Sequence, residues 1–91
     1  MNNISKELAG TVVAHNSEEK NLVCCIEEMS ELTKVLTKKL RNSPKFNKHD
    51  LLEEISHVLL MCNAVAIKYD LDEDDILREQ LDAVRRMRNA E

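Results

Sequence analysis

Two short acidic phrases at helical spacing hold most of the chemistry this chain can offer. The first is E-E-M-S-E, Glu27 to Glu31, and the second is E-E-I-S-H, Glu53 to His57. On a helix the carboxylates of Glu28 and Glu31 project from one face as neighbours, and Glu54 and His57 repeat that geometry. Two helices packed side by side, each carrying such a pair, can enclose a hard divalent cation. Magnesium prefers oxygen ligands in octahedral geometry, so carboxylates on facing helices leave positions open for water and phosphate oxygens. A cation held this way neutralises polyphosphate charge and lowers the pKa of a bound water. A neighbouring carboxylate then takes the proton or orients that water. Glu27 and Glu53 are candidate helpers, although by helical angle both point away from Glu28 and Glu54. Single E-x-x-E pairs are common on solvated helices. Here both pairs border an apolar arc, where like charges cost folding energy unless a cation or proton compensates.

Four helices are expected to position these residues. The first runs from about Ile4 to His15, with Leu8, Val12 and Val13 as its apolar positions. Asn16-Ser17-Glu18-Glu19 then reads as a helix start, with a capping side chain and acids near the positive helix end. The second helix runs from about Ser17 to Arg41. Leu22, Cys25, Met29, Leu32, Leu36 and Leu40 gather on one arc, with Glu28 and Glu31 on its rim. Asn42 to Lys48 contains the one proline of the chain and is the expected loop. The third helix runs from about His49 to Asp70, where Glu54 and His57 flank an arc of Leu51, Ile55, Val58 and Cys62. From Val58 to Ile67 this helix is apolar on nearly every side, which predicts burial all round. Leu60, Ala64 and Ile67 on its spare side are a candidate subunit interface. Asp72 to Asp75 begins the fourth helix, whose expected inner face is Ile76, Leu77, Leu81, Val84 and Met87. Arg85, Arg86 and Arg88 sit at its negative end.

The bulk properties agree with that plan. One glycine and one proline in 91 residues leave too few turn formers for an all-β fold. The reading is a single all-α domain spanning residues 1–91, a four-helix bundle-like subunit with its motifs between about 17 and 75. A core this small is marginal alone, and an oligomer relieves that. The net charge of -4 and the absence of a basic face make a nucleic-acid duplex a poor partner. Cys24, Cys25 and Cys62 form no C-x-x-C and read as reduced packing residues of a cytoplasmic protein. No apolar run is long enough to span a bilayer, and no export signal opens the chain.

Basic residues cluster at the end of the second helix and around the loop: Lys34, Lys38, Lys39, Arg41, Lys45 and Lys48. Such residues also complement the negative helix end without any ligand. Lys38 lies nearest the Glu28–Glu31 edge and is the first choice for a phosphate contact. Lys45 and Lys48 would close over phosphates if the loop folds down, and Phe46 is placed to stack on a base.

The phrases C-I-E-E-M-S-E-L-T-K and L-L-E-E-I-S-H-V-L-L-M resemble the MazG-like family of all-α nucleoside triphosphate pyrophosphohydrolases, which is related to the all-α dUTPases. Members carry E-x-x-E on one helix and E-x-x-D on the next. The resemblance implies magnesium-dependent cleavage of a (deoxy)nucleoside triphosphate to monophosphate and pyrophosphate. It implies Glu28, Glu31 and Glu54 as metal ligands, and a homodimer or homotetramer with helices packed across subunits.

His57 stands where that family has aspartate. Imidazole offers one nitrogen and suits manganese or zinc better than magnesium. Three outcomes follow: His57 ligates a softer metal, the site works on three carboxylates, or the site is inactive. The last would leave a non-catalytic helical oligomer that binds nucleotide or a protein partner.

Overall fold

The computed structural model describes residues 1–90. They form four helices: α1 (Asn3–His15), α2 (Glu18–Leu40), α3 (Lys48–Lys68) and α4 (Glu73–Ala90). The capping chemistry sets these limits. Asn2 Oδ1 accepts from Ser5 N–H (2.8 Å) to start α1, and Ser17 Oγ accepts from Lys20 N–H (3.1 Å) to start α2. Asn47 starts α3, accepting from Asp50 N–H and donating its amide to the Asp50 carboxylate, each at 2.9 Å. Asp72 Oδ1 accepts from Asp74 N–H at the start of α4. Each cap satisfies a donor that a helix N-terminus leaves without an internal partner.

The ends of α2 and α3 share one device. Asn42 (φ 55°) and Asp70 (φ 52°) take the left-handed conformation. Behind them Ser43 N–H reaches back to Lys38 C=O, and Leu71 N–H to Ala66 C=O, each at 2.9 Å. Glycine usually fills that position, and Asn and Asp are the side chains that tolerate it best. The chain's single glycine, Gly10, lies inside α1 instead.

Helix α3 is the central element, with α2 packed along one side and α1 along another. The buried set is Ala9, Asn21, Cys25, Val35, Met61, Ala64 and Ala66. On α2, Asn21, Cys25 and Val35 are buried and Glu28 and Leu32 half-buried, a 4-3-4-3 rhythm that forms the seam against α3. That seam is rotated from the expected arc. Met29, Leu36 and Leu40 are exposed, and so are Leu52, Ile55 and Leu59 on α3. Two expectations about faces are therefore corrected. Ala64 is 1% exposed and belongs to the chain's own core, with Leu60 and Ile67 half-buried beside it. Helix α4 makes no close backbone packing with the other three helices; Ile76 and Leu77 face a cavity shared with Ser5 and Lys6 of α1 and Leu59, Asn63 and Ile67 of α3, whereas Leu81, Val84 and Met87 of the expected inner face are exposed. Its tie to them is at its first residue, where Glu73 pairs with the N-terminal ammonium of Met1. No helix among the described residues is long and apolar enough to cross a membrane.

Candidate metal centre

The rotated seam changes the standing of the acidic pairs. Glu28 falls on the line of α2 that meets α3, and Glu54 is half-buried on the α3 side. His57 lies one turn further along α3. One ligand atom from each of Glu28, Glu54 and His57 falls within 4.8 Å of the other two. Histidine Nδ1 is 3.2 Å from Glu28 Oε2, with the side chains 50% and 29% exposed. An ionised carboxylate can only accept, so Nδ1 carries the proton in this pair.

Glu54 is the electrostatic centre of the group. Its Oε2 is fully covered and has no hydrogen-bond partner. Burial pushes its carboxyl above the ordinary carboxylate value, and the charge of Glu28 pushes it further; His57 pulls the other way, and Glu31 and Glu53 add smaller upward effects. A covered acceptor without a donor carries a desolvation cost that a proton or a cation would remove. The three side chains therefore fit a divalent cation by position and by this orphaned oxygen. Two carboxylates and one imidazole form a mixed donor set, better matched to manganese or another transition ion than to magnesium.

The other candidates are placed differently. Glu31 turns to solvent and its Oε1 takes Lys34 Nζ at 3.1 Å, so it stands outside the cluster although its charge reaches Glu54. Glu27 is exposed and lines a shallow groove with Ser17, Lys20 and Cys24, away from the cluster. Glu53 is engaged with His49, at 3.9 Å. Lys45 and Lys48 are exposed and Lys38 is half-buried. The Phe46 ring already carries a cation, with Lys39 Nζ 5.4 Å from its centroid.

Two contacts across the α2–α3 pair were not anticipated from the sequence. The thiols of Cys25 and Cys62 face each other, and burial, then the neighbouring Cys62, raise the Cys25 pKa. Both are free thiols. The Tyr69 hydroxyl donates to Glu18 Oε1, tying the end of α3 to the first turn of α2. The pairing with Glu18 raises the phenol's pKa. Alternation and arc angle carry no signal for either contact, because both depend on the register of two helices.

No protein-family model matches the chain, and no curated protein or solved structure is significantly similar to it.

Proposed function

We propose that the chain is a divalent-metal-dependent nucleoside triphosphate pyrophosphohydrolase. The observation that carries this reading is the meeting of Glu28, Glu54 and His57 around the covered, unpartnered Glu54 Oε2. Glu28, Glu54 and His57 would hold the cation, which supplies charge neutralisation at the phosphates and a more acidic bound water. Lys38, Lys45 and Lys48 lie on the α2–loop–α3 connection and are the basic residues available to phosphate oxygens. The resemblance of the two acidic phrases to MazG-like enzymes supplies the substrate class. Assembly as a homodimer or homotetramer is part of the same reading, supported by the uncovered apolar side chains Leu22, Ile26, Met29 and Leu36 on α2 and Leu52, Ile55 and Leu59 on α3.

A second reading is favoured by a specific observation. Glu31 is drawn off by Lys34, and a histidine replaces a carboxylate, so the set is weaker than four carboxylates would be. On this reading the chain binds metal or nucleotide without turnover. Pyrophosphate release from a panel of nucleoside triphosphates separates the two. The enzyme reading expects release with manganese and a loss of about a hundredfold or more in Glu54→Gln. A protein that gains thermal stability with manganese and nucleotide yet releases nothing is the binding relic. Restoring the carboxylate with His57→Asp is expected to shift the preference from manganese toward magnesium.

A further inference from the structure

Helices α2 and α3 bring together two thiols that the metal site does not use. The helices run antiparallel, and two contacts fix their register. Tyr69 at the end of α3 donates to Glu18 in the first turn of α2, and His57 meets Glu28 at 3.2 Å. Cys25 lies seven residues after Glu18, and Cys62 lies seven residues before Tyr69. Seven residues are close to two helical turns, so equal steps along both helices carry the Tyr69 contact to Cys25 and Cys62. The two sulfurs lie within hydrogen-bond reach, and both are free thiols. A disulfide needs Cα atoms within about 7 Å, which packed helices offer only where two residues face each other. Cys24 lines the groove with Ser17, Lys20 and Glu27 on another side of α2.

The pair is asymmetric. Cys62 is exposed, close to Leu59 on the open side of α3, whereas Cys25 is 8% exposed. An oxidant dissolved in water therefore meets Cys62 first. Burial, then the charge and the hydrogen bond of Cys62, raise the Cys25 pKa, so this thiol keeps its proton longer than a free one. An exposed thiol with a covered one against it suits oxidation at the first sulfur and resolution by the second.

We propose that a hydroperoxide converts Cys25 and Cys62 to a reversible disulfide that staples α2 to α3. The Cys62 thiolate attacks one peroxide oxygen. An S–O bond forms, the O–O bond breaks, and the leaving oxygen takes the thiol proton. Hydrogen peroxide thus leaves as water, or an organic hydroperoxide as an alcohol, and Cys62 becomes a sulfenic acid. The Cys25 sulfur then attacks the sulfenic sulfur. The S–S bond forms, the S–O bond breaks, and the hydroxyl departs with the Cys25 proton as water. Each sulfur gives one electron, and the peroxide takes both. A dithiol restores the pair by exchange. The closed loop contains Glu28, Glu54 and His57, so the bridge restricts the unfolded chain around the α2–α3 connection. This chemistry does not depend on what the metal site does.

The test is treatment of the full chain with hydrogen peroxide in native buffer, read by intact mass. The wild type is expected to lose about 2 Da without joining a second chain, and to regain it in dithiothreitol. Its urea midpoint is expected to rise on oxidation and to return on reduction. Cys24→Ser is expected to behave as the wild type. Cys25→Ser is expected to form no bridge and to leave a sulfenic acid on Cys62 that dimedone traps. Chains linked to each other on a non-reducing gel, a bridge to Cys24, or a wild type that loses no mass would overturn the proposal. Oxidation of the wild type in urea needs no variant. The bridge is expected to form more slowly there, and an equal rate would mean that the fold does not position the pair.

Discussion

Glu54 concentrates the tension in this molecule. Burial and its acidic neighbours hold its folded-state pKa above the ordinary carboxylate value of 4.5. The folded chain therefore binds that proton more tightly than the unfolded chain does. The contribution is fully present below the unfolded value and is lost as pH rises through the raised folded value. For the metal-free protein at fixed chain concentration, the urea midpoint is expected to fall as pH rises through that window. Glu54→Gln should flatten the slope and be more stable than wild type at neutral pH, while losing the manganese-induced rise in Tm. A variant less stable than wild type at neutral pH would mean that the Glu54 charge is already compensated by its neighbours. His57 enters the same balance from the other side, since its imidazole is the one group of the cluster that favours the Glu54 anion.

The helices were legible because their ends are written in side chains. Ser17, Asn47 and Asp72 each supply the oxygen that opens a helix. The polar run after Leu40 closes α2 with Asn42 in the left-handed region. What could not be read was the rotation of each helix about its axis. Two overlapping lines run down α2, the expected Leu22–Cys25–Met29–Leu32–Leu36 and the observed Asn21–Cys25–Glu28–Leu32–Val35, which share Cys25 and Leu32, and apolarity favours the first. The second is the packed one: Asn21, Cys25 and Val35 are buried along it, while Leu22, Met29 and Leu36 are left exposed. The convergence of Glu28 with Glu54 and His57 was accessible from spacing, and the departure of Glu31 toward Lys34 was not, since Lys34 reads equally well as a solvated charge. Gly10 offers a test confined to one element. A Cβ built there meets nothing within 4 Å. Gly10→Ala is expected to stabilise the chain by about 0.5–1 kcal/mol in chemical unfolding, because a mid-helix glycine costs backbone entropy.

At the scale of the whole chain, the core is thin. Among the described residues no large side chain is fully buried, and the buried apolar set is alanine, cysteine, valine and methionine. Met61, on the central helix, is the largest of the buried apolar residues at 7% exposure. Met61→Ala is expected to cost about 2–5 kcal/mol, a large share of what a domain this small can hold, and to show as a sharp drop in Tm. The same thinness explains why three helices leave apolar faces open on α2 and α3 and a fourth helix stands apart.

Deuterium uptake should report that incompleteness directly. Backbone amides in α1 to α3 are shielded by neighbouring helices, whereas those of α4 are shielded only by their own turn-to-turn bonds. At nanomolar dilution the peptides from Glu73 to Ala90 are expected to exchange first, long before those of α3. Their early exchange, set against the slow exchange of α3, would mark α4 as the element least held by the rest of the fold.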